Sequence, residues 1–469
     1  KEIPFSNNTR MMVDAGARGG YSQLMQMMVF KGVVRKPNNE PIDLVITHSY
    51  KEGLTPLEYF SSTHGARKGV ADKAIKTPKS GYLHRRLVDA LHDVIIREID
   101  CGTSEGIVIK REEVKDREIK FSDTIFSRVA LEDIIDSKGN ILVKKGDFIT
   151  YKLAQLIDKD QSITEVKVRS PFTCKTLFGV CQRCYGLDLS THQPIKLGEA
   201  IGIITAQSLG ERLTQFTLRS FHTGGVVAAK DITRHLPKLE EIFELIKPKE
   251  EAILSPVNGK ISKIEELPKY YLITIVDEKK KEIKLKIPKT SKLIVKQGQI
   301  IERGDPLNNG VIYPQALYRT RGVMNTFKHI VSEVMKIYTD QSADVHEKYV
   351  EVVVRKMFSI VKVKDPGDSD FIIGEIVEKD MFLEKNRELK KQGLKPAKGI
   401  LLLRGIKDIA RSAYSFLSVT SFQESARALV RASLECREDY LRGIKENIII
   451  GRKPIIGEEF RKLYSQGLI

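Results

Sequence analysis

Four cysteines constrain the fold of this chain more than any other feature of its sequence. Cys174, Cys181 and Cys184 form a C-x6-C-x2-C group, which can bring three thiolates together on one tight knuckle. Zn²⁺ favours four tetrahedral ligands, and the only further cysteine nearby is Cys101, 73 positions before Cys174. The spacing predicts a zinc site, although a C-x2-C knuckle can instead be redox-active.

Composition narrows the class of protein. Five cysteines, four of them between residues 101 and 184, do not form the pattern of a secreted disulfide framework. The net charge of +17 favours nucleic acid as a partner, although a general lysine bias on solvated faces would give the same number. The length of 469 residues suggests about three domains. No apolar run approaches the roughly 18 residues of a membrane span, so we expect no membrane partner.

The stretch Gly198–Gly225, GEAIGIITAQSLGERLTQFTLRSFHTGG, predicts a helix that begins buried and becomes amphipathic. Gly224 and Gly225 should end this helix and leave a mobile loop. Arg219 and His222 are three apart and would share one face of its last turn. A guanidinium binds phosphates and an imidazole titrates near neutrality, so the tip could close on a nucleoside triphosphate. An ordinary helix cap with a solvent-exposed arginine and histidine is the alternative.

The same stretch closely resembles the trigger loop of the largest (β′-type) subunit of bacterial and plastid multisubunit RNA polymerases. The similarity continues in the same order from about Arg10 to about Pro454. Arg212 and Leu213 stand where the family usually has Pro-Gly, which is expected to change the hinge of the first trigger helix. The resemblance places the second trigger helix at about Asp231–Leu245, without the large inserted domain of many cyanobacterial and plant-plastid versions.

The resemblance also implies roles for residues of the trigger loop. Leu218 would pack against the incoming base, and Arg219 would contact its phosphates. His222 would orient the pyrophosphate leaving group or protonate it. Gln215 would line the same face. These four residues are therefore the candidate catalytic set.

Residues 50–92 carry two conflicting signals. Leu83 and Leu87 follow helical spacing, whereas Pro78 and three glycines interrupt it and predict two short helices. The resemblance instead implies a bridge helix, a long helix that crosses the active-site cleft and bends during translocation. Pro78 departs from the small or polar residue expected there. The basic residues that could face nucleic-acid phosphates are Arg67, Lys68, Arg85 and Arg86.

Two further segments are interpreted by the same resemblance. The Met-rich run Leu24–Val34 predicts a packed helix, either as ordinary core or as part of the F loop that braces the two mobile catalytic elements. The distant cysteine, in DCGTSEG, matches the first ligand of a structural zinc site in the family. The resemblance thus implies one structural Zn²⁺ held by all four ligands, with no open position for catalysis: Cys101, Cys174, Cys181 and Cys184.

The remainder of the chain alternates strand and helix signals. Short β-like runs occupy residues 107–109, 141–143 and 166–168. Strand-like runs in residues 252–310 predict a small β-barrel or sandwich, with Lys279–Lys281 as a solvated hairpin tip. Helical periodicity returns over residues 315–358.

The C-terminal third contains further candidate functional and structural residues. Asp365, Asp368 and Asp370 lie among turn formers, and we reject them as a catalytic Mg²⁺ site. A capping box is predicted at residues 421–424, and Cys436 is predicted to be a buried structural thiol. The helix after the capping box is predicted to pack through Ala428, Leu429, Ala432 and Leu434. The resemblance assigns this part to the C-terminal region that joins the clamp hinge and docks a small ω-type subunit.

Together these patterns predict an α+β multidomain chain that is a segment of a multisubunit RNA polymerase, with a long bridge helix, trigger helices, a Zn-bound knuckle and small β-barrel or sandwich modules. The predicted regions are the F-loop region 1–49, bridge helix 50–95, zinc-binding region 96–190, trigger loop and helices 191–246, β module 247–312, jaw-side region 313–398, and clamp-base and ω-docking region 399–469.

The resemblance implies a DNA-directed RNA polymerase, a nucleotidyltransferase that is inactive as this chain alone. The NADFDGD-type loop that holds the family's catalytic Mg²⁺ has no match in the sequence, so a partner chain or a further N-terminal part would supply it. The competing hypothesis is a non-catalytic, zinc-containing nucleic-acid-binding or assembly protein derived from polymerase. The missing initiator methionine is compatible with a split chain or an excised fragment.

The implied partners follow from the same resemblance. They are template DNA, the RNA transcript, nucleoside triphosphates, a second-largest β-type subunit, an N-terminal β′-type chain, α-type and ω-type subunits and a sigma-type factor. The absence of a targeting peptide at the start of the sequence leaves the bacterial cytoplasm or a plastid stroma as the expected compartment.

Overall fold

The computed structural model describes residues 3–15, 17, 19–36, 40–115, 119–219, 235–277, 281–341 and 343–467. The chain divides into two compact units: Lys1–Arg85 with Gly210–Pro237, and Arg86–Leu209 with Lys238–Ile469. The seven regions delineated from the sequence are finer than this division and stay predictions. Within the described ranges, no helix combines the length and the apolar character that a membrane crossing requires.

Helices provide the longest elements, and the mixed helix and strand content expected from the sequence is confirmed. In chain order the described helices are α1 Asn8–Asp14, α2 Tyr21–Met28, α3 Pro56–Leu91, α4 Arg111–Lys115, α5 Phe121–Ile125, α6 Tyr151–Lys159, α7 Gln182–Tyr185, α8 Ile201–Arg219, α9 His235–Glu244, α10 Pro314–Asp340, α11 Glu347–Met357, α12 Lys379–Lys391, α13 Ile406–Arg411, α14 Phe416–Phe422, α15 Ser425–Leu434, α16 Ile444–Ile449 and α17 Gly457–Ser465.

The strands form small, separate sheets. A four-stranded sheet has the order β11-β10-β9-β12, a three-stranded sheet has the order β14-β13-β15, and β1-β2, β3-β8, β4-β7 and β5-β6 form pairs. The pair β3-β8 is parallel and the other pairings are antiparallel. The described strands are β1 Gly32–Arg35, β2 Pro41–Ile46, β3 Ile95–Glu98, β4 Ile107–Lys110, β5 Ile134–Ile135, β6 Ile141–Val143, β7 Glu165–Val168, β8 Gly179–Cys181, β9 Gly259–Glu266, β10 Tyr270–Asp277, β11 Glu282–Pro288, β12 Ile300–Ile301, β13 Ile360–Asp365, β14 Ile376–Glu378 and β15 Lys398–Leu402.

Helix α3 continues through Pro78, so the prediction of two short helices was wrong. A capping box fixes its start: Glu58 N donates to Thr55 Oγ1 at 3.4 Å, and Thr55 N donates to Glu58 Oε2 at 3.0 Å. A proline inside a helix costs about 3 kcal/mol, whereas each buried leucine contributes about 1.5–3 kcal/mol. Burial therefore outweighs the interruption, through three leucines that are at most 1% exposed: Leu83, Leu87 and Leu91.

The sequence predicts one packed helix over the Met-rich run Leu24–Val34, and this prediction was wrong. Helix α2 ends at Met28, and the chain then enters β1, which pairs with β2. Met27 and Met28 are about half exposed. The apolar run therefore extends beyond α2, because it contains the end of a helix and the start of a strand.

The strand predictions between the first and second cysteines are confirmed. β4, β6 and β7 occupy the β-like runs at residues 107–109, 141–143 and 166–168. β4 pairs with β7 over four residue pairs, and β5 pairs with β6 as a short hairpin. The pairing of β4 with β7 brings Val168 beside Ile107, so the chain is again near Cys101 before the knuckle begins.

The predicted strands of residues 252–310 form the four-stranded sheet, and the predicted helical region 315–358 contains α10 and α11. Closure into a barrel or a sandwich stays a prediction, and of the predicted hairpin tip only Lys281 lies among the described residues. The sheet has its own aliphatic core: Ile261, Ile273, Ile275, Ile287, Val295, Ile301 and Leu307.

Three predictions for the C-terminal region were wrong. Ser421 lies inside α14, and α15 begins after Glu424, whose left-handed backbone (φ 55°) provides no side-chain cap. Leu429 is 48% exposed and Leu434 is 80% exposed, so the predicted packed face of α15 is largely open to solvent. Cys436 is exposed and not buried.

Candidate functional site

The four predicted metal ligands meet in one cluster. Parallel pairing of β3 with β8 sets Glu98 opposite Cys181, so Cys101, three residues after β3 ends, is brought to the knuckle. All four Sγ atoms lie within 4.8 Å of one another. The Sγ of Cys101 is 3.7 Å from that of Cys184 and 3.8 Å from that of Cys174. The sequence separation is thus closed by strand pairing.

Backbone amides of the knuckle point at its sulfur atoms. Cys181 N donates to the Sγ of Cys174 at 3.3 Å, and Cys184 N donates to the Sγ of Cys181 at 3.3 Å. Arg169 Nη2 lies 3.9 Å from the Sγ of Cys101 and is held there by an ion pair with Asp100 at 2.7 Å. Such donors stabilise the thiolate form, which is the form that binds a metal.

Hydrogen bonding within the cluster separates the acidities of the thiols. Hydrogen bonds from Cys174, and then from Cys181 and Cys184, hold the pKa of the Cys101 thiol well below its usual range. The hydrogen bond to Cys101 is the largest of several that raise the pKa of the Cys184 thiol. Without a metal, the four thiols therefore differ in acidity, whereas a bound divalent cation would favour ionisation of all four.

The donor set fits a closed metal site. Cys174, Cys181 and Cys184 are at most 6% exposed, and Cys101 is half-buried. Four thiolates suit a borderline-soft divalent ion in tetrahedral geometry and leave no position for substrate. In the part of the chain that the structure describes, this is the group of His, Cys, Asp and Glu side chains whose geometry suits a metal ion.

The carboxylates of residues 365–370 are each bound by a backbone amide or a lysine. Asp365 accepts from Gly367 N at 3.1 Å, and Asp368 accepts from Lys395 N at 2.7 Å. Asp370 pairs with Lys385 at 3.0 Å. These contacts stabilise the turn that joins β13 to β14.

Helix α8 carries part of the predicted catalytic set. Gln215 Nε2 donates to Glu211 Oε1 at 2.8 Å, and Gln215 Oε1 accepts from Arg212 Nη1 at 3.4 Å. Leu218 and Arg219 belong to the last turn of the helix. Their side chains, and the whole of the predicted segment from residue 220 to 234 with His222, lie outside the described residues.

The helix is continuous where the sequence departs from the resembled family. α8 runs through Arg212 and Leu213 without a break, and Leu213 is 2% exposed. Proline and glycine are the two residues that most disfavour a helix interior, whereas arginine and leucine are good helix formers. Arg212 and Leu213 therefore strengthen the helix at this point. The second helix, α9, begins its described part at His235 and ends at Glu244.

The predicted phosphate-binding residues of α3 differ in their surroundings. Arg67 and Arg85 are exposed and Lys68 is half-buried. Arg86 is 4% exposed and donates to Glu240 and Glu244 of α9, each at 2.7 Å. This geometry favours a packing role for Arg86 over contact with a phosphate.

Three features of the structure were not found from the sequence. Gly210 of α8 lies against the ring of His84 of α3, where a Cβ atom on Gly210 would be 2.4 Å from the imidazole. A buried charge cluster joins Arg128 to Glu347 and Glu351. The capping box at the start of α3 follows the S/T-x-x-E pattern, with proline at the first helical position, and could have been recognised.

Comparison with known proteins shows one consistent similarity. The family model described as RNA polymerase Rpb1, domain 5, matches residues 53–414, and that described as RNA polymerase Rpb1, domain 4, matches residues 1–58. The DNA-directed RNA polymerase subunit beta' of Caldanaerobacter subterraneus subsp. tengcongensis is 45% identical over 446 residues, which cover 94% of this chain and 37% of the relative.

Other bacterial relatives agree. The subunit beta' of Clostridium botulinum (strain ATCC 19397 / Type A) is 44% identical over 448 residues, and that of Caldicellulosiruptor saccharolyticus is 43% identical over 446 residues. Each alignment covers 94–95% of this chain and 38% of the relative. The chain thus spans a little over a third of the length of the curated relatives it matches.

Proposed function

The chain belongs to the RNA polymerase Rpb1 family as the C-terminal part of a largest subunit, and we propose that it acts in a DNA-directed RNA polymerase, a nucleotidyltransferase made of several chains. The observation that carries the proposal is the extent of the similarity, which covers 94% of the chain at 45% identity. A chance match of a single motif would not extend through both compact units.

In this proposal α3 is the bridge helix and α8 is the first trigger helix. The continuous 36-residue α3 supports the first assignment, because an element that crosses a cleft must be long and unbroken. Arg67, Lys68 and Arg85 would face nucleic-acid phosphates. The uninterrupted α8, which ends its described part at Arg219, supports the second assignment.

The proposed catalytic role of the chain is to position the nucleotide. Closure of the trigger helices would bring Leu218 against the base and Arg219 to the phosphates, with Gln215 lining the same face. His222 would orient or protonate the pyrophosphate as the 3′ hydroxyl attacks the α-phosphate. Closure also excludes water and holds the reactants in line. The catalytic Mg²⁺ would be held by carboxylates outside this sequence.

The four-cysteine cluster is proposed to hold one structural Zn²⁺. The supporting observations are four convergent sulfur atoms within 4.8 Å, burial of three of them, and amide donors aimed at two of them. Zn²⁺ accepts four thiolates without redox chemistry and would fix the knuckle onto β3. The residues that would hold it are Cys101, Cys174, Cys181 and Cys184.

The proposed partners are template DNA, RNA, nucleoside triphosphates and the remaining polymerase chains of β, α, ω and sigma type, with an N-terminal β′-type segment. The compartment would be the bacterial cytoplasm or a plastid stroma. Purification of the native complex with mass-spectrometric identification of its stoichiometric chains tests this. Isolation of the chain without any other polymerase subunit would contradict the proposal.

The catalytic role is tested with His222→Ala in the assembled complex. We expect nucleotide addition to slow by about 10²-fold or more, in the range of general acid–base contributions, while DNA affinity changes little. Single-nucleotide addition by rapid quench and DNA binding by fluorescence anisotropy measure the two quantities. Unchanged addition would refute the role, and an equal loss of both would indicate a structural defect.

A further inference from the structure

One guanidinium group holds the loop that presents the first cysteine of the knuckle. Arg355 Nη1 donates to the backbone oxygens of Pro171 at 3.1 Å and Cys174 at 2.7 Å. Its Nη2 donates to those of Thr176 at 2.8 Å and Gly179 at 2.9 Å. Four backbone carbonyl groups, from residues before, at and after Cys174, therefore accept hydrogen bonds from this one side chain.

The base that carries Arg355 is itself fixed. Arg355 lies in the last turn of α11, and the four residues Val352, Val353, Val354 and Met357 around it are fully buried. Earlier in the same helix, Glu351 accepts from Arg128 Nη2 and from Ser170 Oγ, each at 2.5 Å. The burial of α11 and the contacts of Glu351 therefore fix the position from which the Arg355 side chain extends.

Contacts from other elements set the remainder of the loop. Phe178 has a left-handed backbone (φ 55°), which is uncommon for a residue other than glycine. Its N–H donates to Asp380 Oδ2 at 2.9 Å, and its carbonyl accepts from Arg97 Nε at 2.7 Å. Thr176 Oγ1 lies 3.1 Å from the Sγ of Cys174 and donates to Glu98 Oε1 at 2.6 Å. The loop's shape is thus imposed by its surroundings.

Resting on the metal site proposed above, we propose that Arg355 is a positioning residue for the metal centre, so that metal binding and the docking of α11 stabilise each other. The guanidinium has five N–H donors in a rigid fork, and four hydrogen bonds are made here, whereas lysine has one nitrogen with three donors. Residues around a metal's ligands commonly change its affinity by 10–100-fold. By linkage, metal binding must stabilise the docking of α11 by the same free energy as the docking of α11 stabilises metal binding.

The test compares Arg355→Lys with Arg387→Lys in the assembled complex, with Zn²⁺ release to a chromophoric chelator as the readout. Both changes keep the positive charge, and Arg387 makes one 3.4 Å hydrogen bond to the carbonyl of Lys175 in the same loop. We expect Arg355→Lys to release Zn²⁺ about 10-fold faster or more, and Arg387→Lys to match the wild type. Equal release rates for wild type and Arg355→Lys would overturn the proposal.

A second measurement needs no variant and so does not depend on the folding of Arg355→Lys. Hydrogen–deuterium exchange is compared in the wild-type complex before and after Zn²⁺ is stripped. We expect faster exchange in residues 171–184 and also in residues 350–357 of α11. A change confined to residues 171–184 would overturn the coupling. A wild-type complex whose cysteine cluster carries no Zn²⁺ would instead refute the metal site of the proposed function, which distinguishes the two failures.

Discussion

At the scale of single residues, the sharpest feature is a buried charge cluster. Arg128 is 2% exposed, and its Nη2 lies 2.5 Å from Glu351 and 3.6 Å from Glu347, whose side chains are 1% and 7% exposed. Removal of Arg128 would take the guanidinium away from two carboxylates that stay buried. The loss of stability on replacing Arg128 therefore comes mainly from the charged groups that would remain buried.

Arg128→Met should destabilise the second compact unit by about 3–5 kcal/mol, because both carboxylates would lose their buried partner. The free energy of unfolding is measured by chemical denaturation. The matched control is Lys167→Met, which breaks the exposed 2.6 Å pair with Glu132 and should cost about 0–1 kcal/mol. Equal effects of the two changes would contradict the assigned role of burial.

A second residue-scale prediction concerns pH. The hydrogen bond and charge of Glu58 raise the pKa of His48, and the pKa of Glu58 is lowered to about 2, mainly by the hydrogen bond with His48. Because the folded pKa of His48 is raised, its stabilising contact is complete below the ordinary value of 6.5 and is lost as pH rises through the folded pKa. Amide exchange at Thr47 and Thr55, corrected for intrinsic rate, should therefore increase across that window.

His48→Gln is the control for this titration. Glutamine can still donate to Glu58 but does not titrate, so the pH dependence should disappear while the contact persists. Persistence of the same pH profile in His48→Gln would assign it to another group.

At the scale of elements, α8 approaches α3 closely at Gly210. A Cβ atom on Gly210 would lie 2.4 Å from two ring atoms of His84. Nε2 of His84 is buried and, within the described part of the chain, has no hydrogen-bond partner. The ring is therefore held by packing against the glycine, which makes this contact sensitive to one methyl group.

Gly210→Ala should destabilise the first compact unit by up to about 2 kcal/mol, since overpacking costs about 1–3 kcal/mol and the gain in helix propensity offsets about 1 kcal/mol of it. Thermal unfolding measures the change. The control is Gly81→Ala in α3, where nothing lies within 4 Å of the new Cβ and a gain of about 0.5–1 kcal/mol is expected. The cost should disappear in the double variant with His84→Ala, and additive effects would refute the contact.

At the scale of the whole molecule, the net charge of +17 bears on nucleic-acid binding. Each phosphate contact releases counter-ions, so affinity falls as salt rises. In the assembled complex, Arg67→Gln should reduce the slope of log affinity against log salt by about 1. Fluorescence anisotropy over a salt series measures it.

The control for this prediction is Lys286→Gln. It removes the same charge from an exposed position on β11, within the four-stranded sheet, and should leave the slope unchanged. Equal effects of the two substitutions would show that general charge, rather than a phosphate contact at Arg67, determines the salt dependence.

Local patterns predicted much of the fold because their information lies within a few residues. Short β-like runs between turns predicted the strands β4, β6 and β7, and periodicity predicted α8, α10 and α11. The cysteine spacing predicted the cluster of four sulfur atoms, since few side chains can meet at such a knuckle. Local rules failed where burial decided the outcome: α3 continues through Pro78, and Cys436 is exposed.

By itself, the sequence determined the family, the four candidate metal ligands and the positions of α8, α10 and α11, because each depends on residue identity at short or fixed spacing. The tertiary structure alone decided that Arg86 pairs with Glu240, 154 positions away, and that Arg355 braces the loop at Cys174, 181 positions away. Which of many arginines finds a particular acceptor depends on how helices and strands pack. That packing is a property of the whole chain, and no local pattern encodes it.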